Sequence, residues 1–563
     1  MGFRVGLSLV LLLSVLAAAC GAGPETARPS GANVAPGGTS QNQDDNRTLI
    51  IAVKTEPTAL VGSVLNPAYT GNAPEAPWQI FHASLMDLDE KANPHPQLAE
   101  ALPKLGTDTW TVSPDGQMEM TWRLRPNLTW HDGAPLTADD FVLANVFSKL
   151  VRGGGADEVL APDPRTVVVR YKSPNAEAAD FRWMPVPRHI VGPYLEQMEP
   201  REAFSLPYWT TEFVGAGPYK LERWEPGAFI LGSAFPGYVG GKPRIGRIQI
   251  TPITDTNTTV ANMLSGAVHV ATDMSVVFDQ VSTLRREWMA RNEPGSALVA
   301  TARTVYVRMQ WRPDYMNPAA LADVRLRQAL AHTVDKQAIV DAVLDGELAI
   351  ADTLIAREAD FYPELDRVLA KHPFDVRRAE QLLTEMGYTK DAEGLFGQGG
   401  TRLTPSLTPL GGYQREGLIL TDVWKRAGVD TPLRTLSAAE QLDGETQSTY
   451  PALSISNIGI TTNRLPYFTT SYIPSPADRW SGQNRGGYSD PEMDRLFSTY
   501  IVTLDKNDQN RVVIQAMKYL SEQAAYFPLY YAPEVVAHAG SVVGPQSGRK
   551  GNSMWKLEQW TWR

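Results

Sequence analysis

One cysteine in 563 residues, and that one at position 20, sets the first limit on how this chain can fold. A chain with a single thiol forms no internal disulfide, so its order must come from buried apolar surface. Hydrophobic residues make up 43% of the sequence and aromatics 9%, enough for substantial cores. At this length one core does not suffice, and two or three domains are expected. The formal net charge of −10 argues against a nucleic-acid partner, which would favour a basic face.

The surroundings of Cys20 say where the chain works. Arg4 supplies a positive start, residues 5–16 (VGLSLVLLLSVL) are apolar, and Ala17, Ala18 and Ala19 lead into Cys20. That run is too short for a transmembrane helix, which needs roughly 20 residues. Residues 1–19 therefore read as a secretory signal peptide. Cys20, followed by Gly21, is similar to the acylated cysteine of a bacterial lipobox, with Ala17 where Leu is usual. Residues 20–46 hold only Gly, Pro, Ser, Asn and other small or polar residues with one valine, and read as a lipidated cysteine on a disordered tether. The expected location is extracytoplasmic, lipid-anchored at the outer leaflet of the cell membrane or periplasmic.

Beyond residue 47, strands and capped helices alternate without strict βαβ order. Residues 48–53 and 166–169 are short β-branched runs, while 117–124 and 245–253 alternate apolar and polar with the period of a half-buried strand. Residues 221–231 predict a hairpin about Pro226-Gly227. Helices are predicted from Thr137 with a capping box to Asp140, from Asp323 to about Gly346, from Asp375 to Gly387, and from Asp490 onward, with a longer one through about Ala524. The fold class is α/β or α+β with several lobes.

Catalytic signatures are missing. The eight histidines show no metal-ligand spacing, and neither a phosphate loop nor a Gly-x-Ser-x-Gly elbow occurs. Gly153-Gly154-Gly155 reads as a surface turn. His131-Asp132 is not a base with its orienter, because adjacent side chains on an extended segment point to opposite faces. No cofactor and no metal are expected. A carboxylate pair of a secreted hydrolase stays open, since separation in space is not written in the sequence.

Residues 121–141, TWRLRPNLTWHDGAPLTADDF, resemble the strand, His-Asp-Gly turn and capped helix that mark family 5 of the ABC-importer solute-binding proteins. Further segments resemble the family in order: Leu65-Asn66-Pro67, PQLAE at 96–100, VGAGPY at 214–219, residues 238–243 with Ile248, Ser265-Gly266-Ala267, residues 323–336, 374–388, 488–494 and FPLYY at 527–531. The resemblance implies a periplasmic-binding-protein-like fold (class II, cluster C): two lobes with hinge strands plus an extra subdomain. Lobe I is projected onto 47–78, 200–303 and 525–563, the extra subdomain onto 79–199, and lobe II onto 304–524. The hinges fall near 304–306 and 525–530.

The resemblance also implies a monomer that is not an enzyme and delivers a captured solute to ABC permease subunits. Peptides rank first, then oligosaccharides, with nickel or haem behind. A regulatory envelope lipoprotein is the other reading. Peptide-binding relatives hold the ligand's amino group with a lobe II aspartate, and the matching segment here, 456–463 (SNIGITTN), has none. Candidate ligand contacts are Val61, Ser63, Asn66, Tyr69, Trp209, Ile458, Gly459, Ile460, Thr461, Thr462, Arg464, Trp480 and Asn484.

Overall fold

The apolar run at 48–53 forms the strand β1 (Thr48–Val53), and a short helix, α1 (Ala76–Phe81), follows it. The computed structural model describes residues 47–65, 74–151, 155–460, 462–478, 480–547 and 553–563. The expected signal peptide, Cys20, the tether, and Gly153 and Gly154 of the glycine turn lie outside them. Next come β2 (Trp110–Val112), β3 (Met118–Arg123), α2 (Ala138–Ser148), β4 (Glu158–Asp163) and β5 (Thr166–Tyr171). These four strands make a small antiparallel sheet in the order β2-β3-β5-β4. On β3, Met118, Met120 and Trp122 are buried and alternate with more exposed residues, as the period of two predicts.

The hairpin about Pro226-Gly227 is β6 (Tyr219–Glu225) and β7 (Phe229–Ala234), and Gly227 takes the positive φ its turn requires. There follow β8 (Arg247–Pro252), β9 (Val270–Ala271) and the long β10 (Ser296–Met309). Farther along the chain lie, among others, α3 (Val324–His332), α4 (Lys336–Leu344), α5 (Val376–Glu385), β11 (Leu407–Pro409), α6 (Gln414–Arg426), β12 (Leu453–Gly459), α7 (Pro491–Val502), α8 (Lys506–Glu522) and β13 (Tyr526–His538).

One mixed sheet of nine strands, in the order β11-β12-β10-β13-β9-β1-β8-β7-β6, runs through the whole molecule. Its two ends carry the two lobes, and β10 and β13 belong to both. At the first end, Leu49, Ile51 and Val53 of β1 enter one core while Ala52 enters another on the opposite face. At the second end, Val305, Val307 and Met309 of β10 enter one core and Tyr306 the other. Both faces of the sheet are covered, which is why these strands are nearly continuous apolar runs. The small sheet has its own core around Trp122, Trp130, Phe141 and Trp183, and α2 is shared: Phe141 points into that core, Leu143 and Phe147 into the first lobe's.

The helix expected over 323–346 is two helices. Asp335 accepts the Ala338 N–H at 3.0 Å and so caps α4, while Thr333 donates its hydroxyl to the Leu330 carbonyl and ends α3. A second capping aspartate inside the apolar periodicity marks the break.

The His-Asp-Gly motif is a joint between the small sheet and the first lobe. The His131 N–H donates to the Gly215 carbonyl at 2.9 Å, the Gly215 N–H donates to Nδ1 of His131 at 3.2 Å, and Nε2 donates to the Gly217 carbonyl at 3.0 Å. Those partners fix the neutral tautomer, and burial pushes the imidazole down to about 4. Asp132 pairs elsewhere, with His189 at 2.7 Å. Asp140 accepts from the Thr137 N–H at 2.8 Å, the Arg188 N–H at 2.9 Å and the Trp130 indole at 3.2 Å. Among the described residues no helix is long and apolar enough to cross a membrane.

Candidate functional site

The two lobes meet beside the crossing strands. Helix α7 lies against the turn Ala176–Ala179 of the small-sheet unit, Leu504 packs on that unit's core, and Arg415 of α6 pairs with Asp279 at 2.9 Å. Between these contacts, charged side chains from both lobes converge.

Arg303 stands on β10 opposite Gly459 of β12 and Ala532 of β13, beside a register shift between Thr301 and Arg303. Glu534 stands on β13, 8% exposed. Asp273 follows β9 and takes the Glu75 and Ala76 N–H groups at 3.1 Å each, one per carboxylate oxygen, and so anchors the start of α1. That places Glu75 at the same point. Arg182 lies 5.3 Å from the Trp78 ring. Arg464 rests on bare backbone: a Cβ at Gly459 would come within 3.0 Å of its Nη2. Its Nε is buried without an acceptor, and one carboxylate oxygen of Glu177 is buried without a donor.

These groups act on one another through space without direct pairing. Among the described residues, no hydrogen bond or ion pair joins Glu75 or Glu534 to Arg182, Arg303 or Arg464. Burial pushes Glu75 up to about 7 against the pull of Arg182, Arg303 and Arg464. Burial likewise pushes Glu534 up to about 7 and Asp273 to about 6, with Arg303 opposing in both cases. Glu177 rises to about 7 through burial and its neighbour Asp180. Buried and half-buried charges of both signs that do not pair with one another are costly and are the usual mark of a site.

The sequence candidates divide. Arg464 belongs to the charged cluster, and Gly459 lies against its guanidinium. Ile458 is in the second lobe's core, and Ile460 packs with Ala351, Ala356 and Tyr531. Val61 is in the first lobe's core, and Ser63 is exposed in the turn after it. Trp209 is interior, its indole donating to the Ala203 carbonyl at 2.7 Å, so it packs the first lobe. Trp480 is half-buried within 5.9 Å of Arg312. Asn66, Tyr69, Thr461 and the Thr462 side chain lie outside the described residues.

Asn484 is also interior, at 1% exposure. Its amide donates to the Thr469 carbonyl at 2.9 Å and the Tyr488 carbonyl at 2.6 Å, and its oxygen accepts the Tyr488 N–H at 3.0 Å. Asn484→Leu will therefore lower stability by about 3 kcal/mol in urea unfolding, because three backbone groups lose their partners. Glu75, Arg182, Asp273, Arg303 and Glu534 are not among the sequence candidates. For two of them a signal exists: Arg303 and Glu534 are charges within long, largely apolar strands.

The model of bacterial extracellular solute-binding proteins, family 5, middle part, matches residues 93–478. That is more than half of the chain. The chain belongs to this family. The oligopeptide-binding protein AppA of Bacillus subtilis is 23% identical over 98% of this chain and 97% of its own length. Among solved structures, an oligopeptide-binding protein from Thermus thermophilus complexed with a pentapeptide superposes with TM-score 0.75 at 21% identity, over 92% of this chain and 96% of that one. NikZ from Campylobacter jejuni in complex with Ni(L-His) gives 0.74 at 20% identity, over 91% and 99%. The family's two-lobed α/β fold is the one described above, and its lobe crossing is where the unpaired charges sit.

Proposed function

We propose that this family 5 protein captures a short peptide in the chamber between its lobes and passes it, chemically intact, to the permease of an ABC importer. One observation carries the reading: carboxylates and guanidinium groups from both lobes and both crossing strands lie within reach of one another's charge with no partner among themselves. A solute bearing an ammonium and a carboxylate supplies both missing partners at once. It would also hold the lobes together, since only the closed form offers every contact. The names of the Bacillus and Thermus relatives favour peptides over oligosaccharides. In the same reading Cys20 is lipidated and tethers the protein outside the cell, residues 47–78, 200–303 and 525–563 are lobe I, 79–199 the extra subdomain, and 304–524 lobe II.

Native mass spectrometry of the fragment beginning after Cys20 tests the proposal. A ladder of co-purified short peptides is expected. An empty protein stabilised by oligosaccharide pools and not by peptide pools would overturn it. Arg464→Met should weaken capture of a bound peptide about tenfold in calorimetry while leaving urea unfolding of the free protein unchanged, because its Nε lacks a partner to lose.

A further inference from the structure

A second set of unpaired charges lies deeper in the second lobe. Arg308 of β10 is 7% exposed. It donates through Nη2 to the Gln447 carbonyl at 3.0 Å and stands 5.1 Å over the Tyr450 ring, while its Nε is buried without an acceptor. Arg312 is saturated: it reaches Gln310 Oε1 through its backbone N–H and Nε, the Pro474 carbonyl, the Ser448 carbonyl and the Arg485 carbonyl. It stitches three loops together. Arg485, placed by that last bond, makes a single long contact, Nη1 to the Gly444 carbonyl at 3.4 Å.

Among the described residues no carboxylate lies within 4.0 Å of any of these three guanidinium groups. Asp443 is the acid whose field reaches Arg485. It is exposed, and its carboxylate is taken up by the Thr446 N–H at 2.7 Å. Burial and the charge of Arg308 push Arg485 down to about 10. Tyr306 and Tyr450, which face the pair, are pushed up by burial, stay neutral and cannot discharge it. Three cations gathered without a counter-charge are a poor structural device and a good receptor.

We propose that Arg308 and Arg485, on the frame that Arg312 builds, form a receptor for an oxyanion, the chemistry shared by carboxylate, sulfate and phosphate. The half-buried Arg485 is its open side, and the bare Nε of Arg308 is the donor waiting inside. The anion is either the solute's own carboxylate or a free inorganic ion, and the experiment separates these sources.

Thermal unfolding of the fragment beginning after Cys20 is followed in sodium sulfate against sodium chloride at matched ionic strength. Sulfate stabilises most proteins without saturating, by exclusion from the surface. A receptor adds a saturating rise at millimolar concentration, which Arg485→Met and Arg308→Met should abolish while keeping the linear part. Should Arg308→Met fail to fold, the half-buried Arg485→Met decides. Parallel, unsaturating curves for wild type and Arg485→Met would overturn the proposal, whatever peptides do. If trialanine displaces sulfate and trialanine amide does not, the site holds the solute's carboxylate. If neither displaces a saturably bound sulfate, it holds a free anion, and the peptide reading is decided separately by the mass spectrometry above.

Discussion

Gly215→Val will leave little or no folded protein. A Cβ at Gly215 would sit 2.0 Å from the Phe81 carbonyl oxygen and 2.6 Å from the Phe213 ring. The Phe81 carbonyl is backbone at the end of α1 and cannot rotate away. Gly217 is held in the same way, 2.4 Å from the His82 N–H. The Gly215 and Gly217 carbonyls also receive hydrogen bonds from His131, so a shift that relieves the clash breaks the joint between the small sheet and the first lobe. Overpacking and loss of a buried network act together, and the cost should exceed about 4 kcal/mol. Soluble yield and urea unfolding check it. A variant with wild-type midpoint would mean that α1 can slide on the sheet.

Glu534→Gln will stabilise the ligand-free protein at pH 8 and leave it nearly unchanged at pH 4.5. Burial pushes the Glu534 carboxyl from 4.5 up to about 7, so the folded state holds a proton that the unfolded chain releases. Stability from this group therefore falls as pH rises from 4.5 and levels off above 7. At about 1.4 kcal/mol per pKa unit, the ionised carboxylate costs the folded state on the order of 3 kcal/mol at pH 8. Glutamine carries no such charge and should recover that amount. The wild-type profile alone hides the effect. His82 and His131, held neutral by burial at about 3 and 4, give the opposite slope, losing stability as pH falls below 6.5. Comparing urea midpoints of the two proteins at both pH values isolates Glu534. An equal difference at pH 4.5 and pH 8 would sink the argument. The same substitution removes a charge a peptide's ammonium would need, so a more stable protein should bind more weakly.

The fold is largely legible in the sequence because its signals are local. Alternation in residues 117–124, Asp-capped helix starts and the turn at Pro226-Gly227 each act within a few residues. Apolar spacing continues across Asp335, so periodicity joins two helices over 323–346 and only the cap shows the break. The site is less legible, since its members come from separate stretches brought together by the long sheet. Trp209 and Asn484 look like ligand contacts because large aromatics and amides serve that purpose, yet burial and backbone partners are invisible in one dimension. Arg303 and Glu534 carry the better signal, a charge where nearly every neighbour is apolar.

The continuous sheet has a mechanical meaning. A hydrogen-bonded ladder resists stretching and sliding, because either motion breaks many bonds together. It yields most easily where the pairing is already irregular. Between β10 and β13 such irregularities fall at Thr301/Arg303 and at Val305/Tyr306, a few residues apart. In the proposed capture of a solute, the lobes would turn about this short line across both strands. Arg303 sits beside that line, so the charge that an arriving solute would meet and the place where the lobes would turn are the same point in the sheet.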